Sequence, residues 1–355
     1  MYKVLDLFCG AGGLSLGFQL AGYKIIGGID FQKDAMKTHE RNFKNSISIC
    51  GDISKIDNSE ILEKFDGKVE VIIGGPPCQG FSAANQQRKL EDDPRNKLFF
   101  EFIRFVKILK PKAIVIENVR QILTKNNGFA KREILRILDE LGYNVDVRVL
   151  DASEYGVPQS RKRAIFVGVK KDIGIITYHN IKKSSEVVTV EEAIGELYEI
   201  DGNRDNHFDN KPVTKYQKYL RSKDNVIHNH EIKYPNENVQ KRMTYVHEGG
   251  NWRDVPKHLW TNNRTNRHSS AYKRLDSKKV SITIDTGHMN YFHPKHNRVP
   301  TVRESARIQS FPDYFVFEGT TTSQLRQVGN AVPPLMARAI AELIKETLNN
   351  EKKCN

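Results

Sequence analysis

The sequence predicts an α/β fold: a doubly wound open sheet joined to a smaller, irregular region. Three observations carry this. Short apolar strands alternate with amphipathic helices up to about residue 170, the pattern of strand–helix–strand units. After about Lys171 the texture turns polar, rich in Asn, His, Lys and Arg, with few apolar periods. Helical spacing then returns between about Val302 and Leu348.

In order, Val4–Phe8 reads as a first strand, followed by a glycine-rich turn and a helix from about Gly13 to Leu20. Ile25–Ile29 is a second strand ending at Asp30, and Ile47–Cys50 a third. The β-branched runs Val69–Ile73 and Ala113–Ile116 follow. Between them lies a helix, Leu98–Leu109, which Pro111 ends. Gly142 closes another helix, Lys131–Leu141, and Val145–Leu150 and Ala164–Val169 are strands. Helices near Val302–Gln309 and Pro334–Leu348 complete the pattern. The expected organisation is an α/β region over 1–170, a basic insert over 171–285, and a return to the first region over 286–355.

With 355 residues the chain can bury a full core and still hold a second, smaller region. Cys9, Cys50, Cys78 and Cys354 stand far apart without a CxxC pair, which argues against a disulfide framework or a zinc site. No apolar run approaches the roughly 20 residues of a membrane span. The opening Met1–Asp6 reads as a strand rather than a leader, so a cytoplasmic location is expected. A formal net charge of +13 suits a polyanionic partner, because phosphate contacts supply much of nucleic-acid affinity. Charge alone does not separate that from a lysine-rich soluble enzyme.

Asp6-Leu7-Phe8-Cys9-Gly10-Ala11-Gly12-Gly13 sits where the first strand turns into a helix, and its glycines permit close backbone approach to a ligand. Asp30 ends the second strand, where a carboxylate can bind ribose hydroxyls. A nicotinamide-binding unit shows the same logic. Two details lean away from it: Ser15 stands where a third glycine is wanted, and Asp52 adds a second acid after the third strand. Cys9 reads as a small buried apolar residue.

Gly74-Gly75-Pro76-Pro77-Cys78-Gln79-Gly80-Phe81-Ser82 is the most informative segment. A strand delivers the chain to two prolines, which fix φ and hold a thiol at the carboxyl edge of the sheet. Alone, this could be a rigid turn with a bystander cysteine. Glu117-Asn118-Val119 shifts the balance: it follows a buried-type strand, so its carboxyl also lies at that edge. Thiol and acid converging on one cleft favour chemistry.

With these residues the chain resembles the DNA (cytosine-5) methyltransferases, whose cofactor, nucleophile and acid motifs are similar to Asp6–Gly13, Gly74–Ser82 and Glu117–Val119. Gln159-Ser160-Arg161-Lys162-Arg163 resembles their QxRxR motif. Arg303-Glu304-Ser305-Ala306-Arg307-Ile308-Gln309-Ser310-Phe311-Pro312 resembles the RExARxQxFP helix. Gln327-Val328-Gly329-Asn330-Ala331-Val332-Pro333-Pro334 resembles the last motif. The resemblance covers roughly Met1–Lys170 and Tyr291–Ala341, with all six motifs in the family's order. It implies an S-adenosylmethionine-dependent, Rossmann-like methyltransferase domain with a smaller target-recognition domain over 171–285.

The implied reaction adds the Cys78 thiolate to C6 of a flipped-out cytosine, so that C5 can attack the donor methyl. Glu117 would donate to N3, and Arg163, with Arg161 beside it, would meet the base O2 and the backbone. For the donor the resemblance carries over Phe8, Gly10, Gly12, Asp30, Phe31, Asp52, Ile53, Pro77, Leu98 and Asn330. Gln79 and Ser82 would touch the vacated gap or phosphates. Arg303 and Glu304 are expected to anchor their helix rather than react. The expected partner is duplex DNA, met by a monomer that needs no metal and no membrane. A cognate restriction endonuclease would act separately.

The insert carries loops rich in Arg and Asn, among them Arg253, Arg264 and Arg267, suited to guanine edges or to phosphates. Nine of the eleven histidines fall between His207 and His296. Lacking a metal-ligand set, pairs such as His228 with His230 and His293 with His296 are expected to be solvated or to face DNA. Three rivals stand beside this reading, the third from a different class. A tRNA cytosine-5 methyltransferase shares the motifs, although the long basic insert favours duplex DNA. An amino-methyltransferase needs no thiol and would place an aromatic residue at position 78. A catalytically idle DNA-binding regulator would not need Cys78, Glu117 and Arg163 intact.

Overall fold

Continuous Val/Ile runs are what a strand buried on both faces requires, and they build the centre of the first unit. The computed structural model describes residues 1–77, 96–202, 207–260, 271–286 and 291–354. The chain divides into two compact units: residues 1–151, 162–183 and 334–355 form the first, and 152–161 with 184–333 the second.

Among the described residues of the first unit, seven strands form one sheet. These are β1 (Lys3–Leu7), β2 (Lys24–Asp30), β3 (Ile47–Cys50), β4 (Val71–Gly74), β5 (Ala113–Val119), β6 (Tyr143–Asp151) and β7 (Lys162–Lys170), in the spatial order β3-β2-β1-β4-β5-β7-β6. β7 pairs antiparallel with both β5 and β6, so the sheet is mixed rather than wholly parallel. The strand order reverses beside β1, with Leu7 in register with Gly74. Clefts in open α/β sheets open outside the carboxyl ends of strands at such a switch point.

Helices α1 (Gly13–Leu20), α2 (Lys33–Asn42), α3 (Asn58–Phe65), α4 (Lys97–Leu109), α5 (Lys125–Glu140) and α11 (Pro334–Cys354) belong to the same unit. In α4, Phe99, Phe102, Ile103 and Val106 recur at three- and four-residue spacing and are buried, the stripe that docks a helix on a sheet. They share a core with Leu5, Ile72, Ile114 and Phe166 from the strands. Neither α2 nor α3 was read from the sequence. β5 runs on to Val119, past the expected end at Ile116, because Glu117, Asn118 and Val119 pair with Ile165, Ala164 and Arg163 of β7. Asn126, Asn127 and Gly128 adopt left-handed backbone at the start of α5.

The second unit holds short elements: α6 (Val190–Ile194), α7 (Lys215–Leu220), α8 (Glu237–Thr244), β8 (Lys273–Arg274), β9 (Tyr291–Phe292), α9 (Val302–Ile308) and α10 (Thr321–Asn330). Beside apolar clusters such as Met243, Val246, Val255, Tyr272 and Phe292, buried polar groups tie it together. Glu304 closes the capping box of α9 and accepts two bonds from Arg298 (2.7 and 2.8 Å). Arg303 donates to the carbonyls of His228, Pro312 and Phe315, so both residues anchor the helix. The histidine expectation needs correction. His230 and His293 are buried, not solvated: His230 meets Thr301 Oγ1 (2.9 Å), and His293 Nδ1 accepts from the amides of Lys295 and His296. Burial holds both rings below the usual imidazole pKa.

Candidate active site

The cleft side of the first unit is assembled from three strand ends. β1 delivers the chain to Phe8, whose positive φ of 60° is costly for a bulky side chain and marks a turn held by its surroundings. Gly12, at φ 97°, needs the left-handed backbone that only glycine takes without strain. The Cys9 amide donates to Ile29 O (3.1 Å) and the Gly51 amide to Asp30 O (3.0 Å), so the ends of β1, β2 and β3 are laced together.

Asp30 is fixed within this lacing. Its Oδ2 accepts from the Gly10 amide and its Oδ1 from the Gln32 amide, both at 2.9 Å, with the Phe31 amide as a further donor, so the backbone holds the carboxylate in place. Burial raises its pKa above the ordinary carboxylate value. Next to it Phe31 is 67% exposed, a large ring left uncovered beside a held carboxylate. A side-chain carbon on Gly10 would meet nothing within 4 Å, so the turn presents open space there. Asp52 is exposed and caps the following turn, accepting from the Ser54 amide (3.0 Å), which lowers its pKa. Ile53 behind it is buried, Pro77 exposed and Leu98 partly buried. Cys9 is buried with its thiol 3.6 Å from Met36 Sδ, the apolar role expected of it.

The second cluster stands at the ends of β4, β5 and β7. Arg163 Nε lies 2.9 Å from Glu117 Oε1, with both side chains mostly covered. A side-chain carbon on Gly75 would come within 2.9 Å of Glu117 Oε2, so the carboxyl faces the backbone that leads to the prolines. Asn118 Nδ2 donates to Pro76 O (3.0 Å), tying the acid strand to that same segment. The sequence quoted Asn118 with its neighbours but carried no signal for this tie, which depends on β4 and β5 being adjacent. Cys78, Gln79, Ser82, Arg264 and Arg267 lie outside the described residues.

Arg161 and Asn330 belong to the second unit. Arg161 was expected with Arg163 at the base, but its guanidinium is buried and donates to the carbonyls of Ile284 (3.1 Å) and Gly329 (2.8 Å). Its planar fork is committed to holding backbone, including the residue before the exposed Asn330. Gln159 donates to Gln309 Oε1 (2.6 Å), and Gln309 donates to Val328 O (2.7 Å), so three of the sequence motifs interlock through buried amides. Arg253 is exposed, with its guanidinium 5.2 Å from the Trp252 ring centre. Among the described residues no group of His, Cys, Asp or Glu is placed to hold a metal, and no helix is long and apolar enough to cross a membrane.

Known proteins can be set beside this geometry. The sequence profile of the C-5 cytosine-specific DNA methylases matches residues 2–346. The Type II methyltransferase M1.HphI of Haemophilus parahaemolyticus is 39% identical over 349 residues, covering 98% of this chain and 87% of that protein. M.DdeI of Desulfomicrobium norvegicum, also a Type II methyltransferase, is 37% identical, covering 98% and 89%. A solved structure from E. coli, titled as a DNA modification methyltransferase encoded within a prophage, superposes with a TM-score of 0.80 at 29% identity, covering 98% and 100%. The S. pombe Dnmt2 methyltransferase shares the fold at a TM-score of 0.60 and 18% identity. With relatives of the Type II modification kind, the tRNA alternative is not favoured. The chain belongs to the C-5 cytosine-specific DNA methylases and is a DNA (cytosine-5) methyltransferase.

Proposed function

We propose that the chain methylates C5 of one cytosine within a short duplex DNA sequence, with S-adenosylmethionine as donor and Cys78 as transient nucleophile. The observation that carries this reading is the Glu117–Arg163 pair at 2.9 Å, on a strand tied through Asn118 to Pro76, two residues before Cys78. An acid and a fixed cation beside a proline-stiffened nucleophile segment suit a pyrimidine ring, whose N3 needs a proton and whose O2 needs a donor.

The Cys78 thiolate adds to C6 while Glu117 supplies the proton to N3, making C5 nucleophilic. The bound donor supplies an electrophilic methyl group. C5 takes that methyl as the S–CH3 bond breaks and the donor sulfur leaves as a thioether; the C5 proton then goes to a base or water, the N3 proton returns to Glu117, and the thiolate is expelled to restore the ring. The target cytosine must leave the helix first, at a cost of a few kcal/mol. Gln79 and Ser82 would touch the vacated gap or the phosphates. Arg163 meets the base, and Arg161 braces the end of α10 at Gly329.

The donor's adenosyl part fits Asp30 and Phe31: a held carboxylate for ribose hydroxyls and an uncovered ring for adenine. Phe8, Gly10, Gly12, Asp52, Ile53, Pro77 and Leu98 complete the pocket, and Asn330 meets the methionine end. Residues 171–285, with Arg253, Arg264 and Arg267, read the target. The enzyme acts as a monomer in the bacterial cytoplasm, protecting DNA from a separately acting restriction endonuclease.

The test is a duplex carrying 5-fluorocytosine at the target, mapped beforehand by bisulfite sequencing of a methylation-free host expressing the enzyme. The wild type should form a covalent complex that survives denaturation, and Cys78→Ser should form none and transfer no methyl. Ordinary turnover by Cys78→Ser would overturn the mechanism.

A further inference from the structure

Beneath the glycine turn lies a wholly enclosed polar trio from three elements: Asp6 of β1, Ser15 of α1 and His39 of α2, each 0% exposed. Ser15 Oγ donates to Asp6 Oδ2 at 2.7 Å, and His39 Nε2 lies 3.5 Å from Ser15 Oγ. Asp6 Oδ1 and His39 Nδ1 have no hydrogen-bond partner among the described residues. Enclosed polar groups this poorly satisfied cost stability, so what the ring does in this place is the question.

Its packing gives the answer. A side-chain carbon on Gly28 would come 2.5 Å from His39 Cε1, and one on Gly12 would come 3.2 Å from His39 Cδ2 and 2.5 Å from Phe43 Cε2. The His39 and Phe43 rings pack with centres 4.5 Å apart and planes tilted by 34°, one helical turn from each other. The pair therefore fills the space that the two glycines leave empty, one in the turn and the other two residues before Asp30. Burial holds the imidazole neutral, its pKa lowered to about 4, so the ring can lie there without a charge.

We propose that His39 is a positioning residue for donor binding: its ring is the floor on which the Gly10–Gly12 turn and the Gly28–Asp30 strand end rest, and so it sets the alignment of the Gly10 amide with the Asp30 carboxylate. The ring touches neither donor nor DNA. It rests on the reading of Gly10, Asp30 and Phe31 as the donor pocket. At 3.5 Å the contact with Ser15 is at the limit of a hydrogen bond, so the filled volume carries the effect more than the bond does.

The experiment measures the KM for S-adenosylmethionine and kcat on a target duplex, with thermal melting of each variant. His39→Ala should raise the donor KM about tenfold while kcat at saturating donor stays within about twofold, the signature of a lost binding geometry. His39→Phe, which keeps a ring of similar size, should recover most of the affinity. Gly28→Ala, which pushes on the ring from the other side, should raise KM as His39→Ala does. A merely structural role would lower the melting temperature and the active fraction without moving KM. If His39→Ala does not fold, His39→Phe and Gly28→Ala decide alone. An unchanged donor KM in Gly28→Ala, or in a folded His39→Ala, overturns the proposal. Asp30→Ala separates this from the pocket reading: if it keeps its donor affinity the pocket itself is misplaced, whereas lost affinity there beside an unchanged His39→Ala sinks the positioning role alone.

Discussion

Glu117 sits between two demands. It is ion-paired with Arg163 at 2.9 Å, yet its other oxygen faces the Gly75 backbone that leads to the two prolines before Cys78. In the mechanism proposed above this carboxyl meets the ring nitrogen while the guanidinium keeps it oriented. Glu117→Gln should lower the single-turnover methylation rate by about 10²–10⁴-fold, with donor binding little changed, because positioned proton transfer is worth that much. A rate within a few-fold of wild type would remove Glu117 from the chemistry. Asp6 and His39 supply a second residue-scale prediction, on stability. Asp6 is pushed up to about 7 by burial, with Asp30 adding to the rise. An acid raised in the fold contributes stability in full below its unfolded pKa, near 3.8, and loses it as the pH climbs toward 7. His39, lowered to about 4, contributes in full above 6.5 and loses it as the pH falls toward 4. Urea unfolding from pH 4.5 to 8 should therefore show Asp6→Asn gaining on the wild type with rising pH, by up to about 1.4 kcal/mol per pH unit. His39→Phe should gain with falling pH, and parallel curves would exclude both assignments.

At the scale of elements, the C-terminal helix returns to pack on the first one. A side-chain carbon on Gly17 of α1 would overlap Ala337 Cβ and lie 2.6 Å from the Pro334 carbonyl oxygen. Alanine in place of a mid-helix glycine ordinarily gains up to about 1 kcal/mol. Here the opposing atoms are backbone and the first carbon of a side chain, neither of which can swing away. Gly17→Ala should therefore destabilise by about 1–3 kcal/mol, read as a lower urea midpoint with unchanged slope. A neutral or stabilising effect would mean that α11 sits further from α1 than described. Elements with strong periodicity were legible in the sequence: α1 and β3 fall where they were expected, and α4 starts one residue early. α2 was not read, though Ala35, Met36, His39 and Phe43 recur at helical spacing, and a histidine on an apolar face is its own signal. β5 was read too short because Glu117 and Asn118 look like a loop until β7 supplies their partners.

For the whole molecule, the net charge of +13 and the family's substrate make one electrostatic prediction. Duplex binding should weaken by about 10³-fold or more between 50 and 200 mM salt, as for proteins that displace six or more counterions. Fluorescence anisotropy across salt concentrations checks it, and a flat response would mean that the positive charge lies off the DNA-binding face.

The sequence by itself determined the family and the strand–helix alternation of the first unit, because these reside in short contiguous segments whose residue types carry their own physical constraint. A glycine turn, a proline pair and a run of β-branched residues each announce their backbone locally. Only the tertiary structure decided what depends on neighbours distant in sequence: the antiparallel β7 that extends β5, the tie from Asn118 to Pro76, the burial of Arg161 among carbonyls, and the enclosure of His230, His293 and His39. A polar side chain looks the same in sequence whether water or a fold surrounds it, and the free energy that separates the two cases comes from atoms that the linear order does not place beside it.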